Sequence, residues 1–183
     1  MKIKLKDSAL IGVCAAIIAI CAQIFIPLPM SPVMFSMQIF GIMLVSVILG
    51  AKRGTLAVLT YLLIGLAGVP VFSGFRGGFS VLAGPTGGYL ISYIPMSFII
   101  GRLSEISVKR THLMCSVSML VGMAVCYILG SIQYAFVTNI SLWHAVMTGV
   151  VPFVAFDLIK AATAIFIGLP VRQALAKSSA AKG

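Results

Sequence analysis

Uninterrupted apolar runs, separated by short stretches of Lys, Arg, Gly and Pro, occupy the chain from Ser8 to Leu169. A helix needs about 20 such residues to cross a hydrocarbon core about 30 Å thick, because each residue advances it by only about 1.5 Å. A membrane barrel would instead show segments of about ten residues alternating apolar and polar. These runs do not alternate. Composition points the same way: 61% of residues are apolar and 9% charged, against roughly 45–50% and 25% in soluble domains. So little polar surface cannot coat a globule in water, which excludes a soluble enzyme or nucleic-acid-binding domain despite a formal charge of +10. At 183 residues the chain has room for about six crossings and no sizeable extramembrane domain. The reading is an all-α integral membrane protein, a single six-helix domain over residues 1–183.

The runs define spans at Ser8–Ile26, Val33–Leu49, Thr55–Pro70, Gly87–Ile100, His112–Val137 and Val150–Leu169. The first ends at Pro27, Pro29 and Pro32, which cannot continue a helix, and the second at Gly50, with Lys52 and Arg53 beyond. Cytoplasmic ends of spans collect Lys and Arg. With the N-terminus inside, the inner side holds Lys2, Lys4, Lys6, Lys52, Arg53, Arg102, Lys109, Arg110, Arg172, Lys177 and Lys182, eleven of the thirteen basic residues. Arg76 alone lies outside and Lys160 lies within a span, so both termini are placed in the cytoplasm. The basic start before an apolar run also matches a secretory signal, but its removal would leave a remainder just as hydrophobic, and Ile20 does not suit a lipoprotein site at Cys21. Cys14, Cys21, Cys115 and Cys126 form no CxxC pair or Cys/His cluster. They are read as small packing residues, and no metal or cofactor is expected.

Two features depart from a passive bundle. Gly65–Gly88 holds eight of the eighteen glycines and two prolines in 24 residues, yet stays apolar. Such a segment makes a poor helix, and irregular backbone at membrane depth must be buried in protein or line a cavity. It is read as an outer loop between the third and fourth helices that folds back as a lid, the alternative being a mobile surface loop. The second feature is Asp157 with Lys160, charges inside the last span. Each costs about 2.5–3.5 kcal/mol at the centre of a helix in lipid, and a three-residue spacing puts them on one face where they can pair. Either the pair only fixes helix packing, or it forms a polar ligand site beneath Arg76 of the loop.

Weaker candidates surround these. Tyr89 and Tyr93, four residues apart, could stack on a ring, and Gln38, Gln133 and Asn139 near outer helix ends could supply hydrogen bonds. Trp143 and His144 fit an interfacial belt, and His112 is read as solvated. Ser8, Gly12 and Ala16, with a second row at Ala15 and Ala19, would let another helix approach the first span, from this bundle or from another protein. No GxxxxGK[ST], HExxH or GxSxG motif and no paired intramembrane aspartates occur, so neither ATP hydrolysis nor other hydrolytic chemistry is expected of this chain.

SPVMFSMQ, LGAKRGTLAVLTYLLIGLAGVPVF, GGFSVLAGPTGGYL and PFVAFDLIKA together resemble successive signatures of the BioY family, over Ser8 to about Arg172. The resemblance implies the substrate-capture component of an energy-coupling-factor biotin transporter in the bacterial cytoplasmic membrane. Its implied partners are biotin, a transmembrane coupling subunit and two ATP-binding-cassette ATPases, which bind the ATP. By position, Asp157 and Lys160 match the family's DxxK, Arg76 a polar loop contact, and Gly84, Thr86 and Tyr89 the glycine-rich signature. The small residues of the first span resemble the face that docks on the coupling subunit. Phe156, Met34 and Ser92 stand where the family commonly has Gly, Pro and Gly. Biotin would put its carboxylate on Lys160 and a ureido N–H on Asp157, or its carboxylate on Arg76. The rival readings are capture of another small vitamin and a structural membrane partner without a ligand.

Overall fold

The computed structural model describes residues 5–27, 33–105 and 111–180. Pro29, Pro32, Lys2, Lys4, Lys109, Arg110 and Lys182 of the sequence reading lie outside these residues. The chain forms α1 (Leu5–Ala22), β1 (Phe25–Ile26), β2 (Phe35–Ser36), α2 (Gln38–Leu66), α3 (Phe79–Ala83), α4 (Gly87–Glu105), α5 (Thr111–Thr138), α6 (Leu142–Gly149) and α7 (Val151–Ala180). Four of these helices are long and apolar enough to cross a membrane: α1, α2, α5 and α7.

The second and third sequence spans appear as one element, α2, broken at Gly50 (φ 76°, ψ −173°). No loop separates them. The helix resumes at once, so Lys52 and Arg53 sit in the first turn of its second limb. The limbs run back antiparallel: Gln38 Nε2 donates to Tyr61 Oη at 2.8 Å, and a side chain at Gly54 would press on the backbone of Ser46. Only glycine reaches that φ at no steric cost, and a Cβ there would also collide with Glu105 Oε1. Glu105 Oε1 instead accepts the Ala51 N–H at 3.0 Å, capping the second limb.

Several element ends differ from the sequence reading. Val33–Met37 is not helical, because β2 pairs antiparallel with β1, Phe25 opposite Ser36 and Ile26 opposite Phe35. The first helix therefore stops at Ala22 rather than Ile26. A short helix, α6, precedes the last span, its N-terminus capped by Ser141 Oγ, which accepts the His144 N–H. The last helix continues through Pro170 to Ala180. Between α2 and α4, residues 67–86 are irregular apart from the five-residue α3, while Gly65 closes α2 and Gly87 and Gly88 open α4.

α2 is the hub, packing on α1, α4 and α7, while α4 also packs on α5. Ile18, Ile42, Met43, Tyr61, Met96, Ile100 and Met119 fill the centre and are fully buried. On α1 the two small-residue rows part company. Ser8, Gly12 and Ala16 are exposed, and a Cβ at Gly12 would meet nothing. Ala15 is buried and Ala19 half-buried, so that row packs α1 within the bundle.

Replacing Gly50 with Ala places a Cβ in a left-handed conformation against the Glu105 carboxylate. A loss of about 1–3 kcal/mol is expected, read as a lower midpoint of thermal unfolding in detergent; an unchanged midpoint would contradict this account of the turn.

Candidate ligand-binding site

Asp157 and Lys160 sit in the first third of α7 and face the bundle, 4% and 6% exposed. Lys160 Nζ donates to Asp157 Oδ1 at 2.8 Å and to the Ser36 carbonyl at 2.8 Å. It also lies 4.1 Å from the centroid of the Phe35 ring, a cation–π contact that strengthens as water is excluded. Tyr127 Oη of α5 donates to the other carboxylate oxygen, Oδ2, at 2.7 Å. The carboxylate thus has one charged and one neutral donor and retains lone pairs for more. Phe35 is held between Phe153 (6.4 Å, stacked) and Phe156 (5.0 Å, edge-on). Phe156 thus packs edge-on against the ring beneath the ammonium.

These groups open into a cavity of about 720 Å³, counted to its open mouth. Asp157, Lys160, Gln38, Thr86, Tyr89 and Arg76 all line it, so six of the seven residues expected at the site converge. Gly84 does not line it. Its carbonyl accepts Gln133 Nε2 at 3.0 Å, so its part is to anchor the loop. Tyr89 and Tyr93 both line the wall from α4, and Tyr89 Oη donates to the Gly149 carbonyl at 3.1 Å. Asn139 is not among the lining residues; it ends α5 in a left-handed conformation, φ 54°.

Arg76 stands at the rim, exposed, with Nη2 3.5 Å from Met34 Sδ. It makes no ion pair among the described residues. It is carried by the Gly-rich segment, which three glutamines tie to the bundle. Gln23 Nε2 donates to the Val71 and Phe72 carbonyls at 3.0 and 3.3 Å, and its Oε1 accepts the Phe75 N–H at 3.1 Å. Gln38 Oε1 accepts from Ser73 Oγ at 2.8 Å. Gln133 Nε2 donates to the Leu82 carbonyl at 2.7 Å, so this residue tethers the flap. Phe72 plugs the segment into the core edge-on to Tyr61, centroids 5.6 Å apart, where a side chain at Gly65 would strike its ring. The segment is a flap tethered to the bundle at these points.

Sequence reasoning missed Tyr127, Phe35, the Ser36 carbonyl, Gln23, Ser73 and Cys126, which also lines the cavity. Tyr127 carried a signal, a phenol in the middle of an apolar span. A backbone carbonyl carries none.

Among the described residues no group of His, Cys, Asp or Glu could hold a metal. The fold and site define a helical, multi-pass membrane protein with a charged chamber beneath a tethered flap. A profile of the BioY family matches residues 1–177. The biotin transporter BioY of Thermotoga maritima is 43% identical over 162 residues, 88% of this chain and 93% of the relative. Biotin transporter BioY2 of Lactococcus lactis is 34% identical, covering 96% of this chain and 95% of the relative. A crystal structure of the S-component for biotin from an ECF-type ABC transporter superposes with TM-score 0.85 at 30% identity, over 92% of each chain. The chain belongs to the BioY family.

Removing one partner of a buried ion pair costs about 3–5 kcal/mol because the other charge is stranded, whereas replacing both is far milder. Lys160→Met should therefore lower the unfolding midpoint of the ligand-free protein more than Asp157→Asn combined with Lys160→Met. If the double variant unfolds below the single one, the two side chains are not compensating each other.

Proposed function

We propose that this chain captures biotin at the outer face of the bacterial cytoplasmic membrane. It then delivers the vitamin inward as the substrate-specific component of an energy-coupling-factor ABC transporter, with a coupling subunit and two ATPases as partners. It is a binding and transport component, not an enzyme. The observation that carries the reading is the buried Asp157–Lys160 pair with Tyr127, opening on a chamber whose mouth bears an unpaired cation, Arg76. Six crossings accommodate this fold if the two limbs of α2 and α4 each traverse the bilayer alongside α1, α5 and α7. The inner side then takes the Gly50 turn with Lys52, Arg53 and Arg102, and the outer side takes the flap.

The geometry supports one of the two ligand polarities. Asp157 and Lys160 touch each other, so they cannot grip both ends of a ligand whose carboxylate and ureido ring are separated by a pentanoate arm. Lys160 is already neutralised by Asp157, while Arg76 has no carboxylate. The ureido ring therefore docks at the deep end, donating N–H to Asp157 and accepting from Lys160 or Tyr127, with Tyr89 and Tyr93 along the bicycle. The carboxylate lies toward Arg76, so loading draws the flap over the mouth. Desolvating a matched charge inside such a chamber strengthens each contact.

Calorimetry tests both assignments. Lys160→Ala should weaken biotin by about 10- to 100-fold, since it removes a charged donor to the ureido oxygen. Arg76→Gln should weaken biotin about tenfold but leave biotin methyl ester nearly unaffected. Equal loss for acid and ester would place the carboxylate elsewhere, and a ligand that excess biotin cannot displace would point to another vitamin. For assembly, the exposed Ser8–Gly12–Ala16 row is the proposed docking face, and Gly12→Trp should abolish co-purification with the coupling subunit while biotin still binds. Normal assembly would move the docking face off α1.

A further inference from the structure

The Gly50 turn and the end of α4 enclose a second cleft, about 910 Å³ counted to its open mouth, lined by Leu49, Lys52, Arg53, Phe98, Arg102 and Glu105. Its cations are poorly neutralised. Arg53 leans on Asp7 of α1 at 3.1 Å, and Arg102 reaches Glu105 only at 3.9 Å, with their side chains 52% and 65% exposed. Glu105 is also committed to the Ala51 N–H. Lys52 makes no ion pair among the described residues. The chain has thirteen Lys and Arg against three Asp and Glu. One of those three, Asp157, is spent in the chamber, so the protein holds too few anions to balance this end.

The cleft also has an apolar wall that continues along α4. Ile91, Phe98, Arg102 and Glu105 recur at seven, four and three residues, which places them on one helical face. Ile91 and Phe98 are 45% and 50% exposed. Read along the helix toward its C-terminus, that face passes from apolar to cationic. An amphiphile lying in the bilayer presents the same order, acyl chains first and then a phosphate. A soluble anion would use only the charged end, and an acidic protein segment would leave the apolar stripe unexplained.

We infer that this cleft is a site for an anionic phospholipid, its phosphate held by Lys52, Arg53 and Arg102 and an acyl chain laid along Phe98 and Ile91. The inference is independent of the biotin chamber, at the other end of the α2 limbs. A lipid there would bridge α2 and α4 and complete the charge balance at the turn.

The full chain in mixed micelles of dioleoyl phosphatidylglycerol and dioleoyl phosphatidylcholine in equal amounts, examined by native mass spectrometry, should retain phosphatidylglycerol in preference. Each basic residue near an anionic surface contributes a factor of about five, so Lys52→Gln with Arg102→Gln should lower that preference about 30-fold. Lys177→Gln, in the last turn of α7 and away from the cleft, should barely change it. Excess inorganic phosphate should not displace the lipid. Unchanged unfolding of the double variant in pure phosphatidylcholine micelles establishes that the fold is intact; if that variant is unstable, Arg102→Gln alone is compared, with about a fivefold loss expected. Equal retention of both lipids, an equal loss from Lys177→Gln, or full displacement by phosphate would each overturn the site. A variant that keeps its lipid preference yet fails to assemble with the other transporter subunits would reassign the cleft to a protein partner.

Discussion

Two opposite charges buried on one turn of α7 organise the site end of this molecule. Each alone would be costly in an apolar bundle, and their mutual attraction offsets the loss of hydration only when the remaining hydrogen-bonding capacity is used. That requirement reaches into two further elements: Ser36 of β2 supplies a carbonyl and Phe35 of the same strand a ring face, and Tyr127 of α5 supplies a hydroxyl. Satisfying the pair therefore fixes how β2, α5 and α7 converge, and the polar chamber lies where they meet. A ligand with its own donors and acceptor can join the arrangement without undoing it.

The flap poses the complementary problem. Its backbone is irregular, so its N–H and C=O groups are not paired along a helix, and at membrane depth there is no bulk water to replace those bonds. Carboxamides meet this need because each carries donors and an acceptor on one planar group. Gln23 uses both on residues 71–75, Gln38 links Tyr61 to Ser73, and Gln133 holds Leu82 and Gly84. None of the three adds charge, so the segment is held firmly at its base while Arg76 at the rim stays available.

The two ends of the bundle consequently differ in kind. At the flap end, charge is scarce, enclosed and matched, apart from one cation. At the Gly50 end, cations gather in the open around a turn that only glycine permits, with Glu105 capping the helix that restarts there. The same short α2 limbs connect both, so the turn that sets their register also sets where Gln38 and Tyr61 meet beneath the flap.

Hydrophobic runs and basic punctuation already told the class of protein, and Asp157 and Lys160 stood out because burying a charge is so costly that its mere presence in a span is informative; Arg76 was legible only as the one basic residue of the outer loop. Gln38 was legible as a polar residue near a helix end and Tyr89 by its spacing from Tyr93, whereas Thr86 entered only through the glycine-rich signature. What only the tertiary structure decided was which groups complete the site. Tyr127, Phe35 and the Ser36 carbonyl act through position, and neither a carbonyl nor a ring in an apolar run has a sequence signature. The β1–β2 pairing replaces the expected helix before Gln38, and the Ser36 carbonyl of that pair accepts from Lys160, 124 residues further along the chain. The small residues of α1 divided into an inward and an outward row for the same reason: spacing places residues on a face, but only the packed neighbours determine which face is buried.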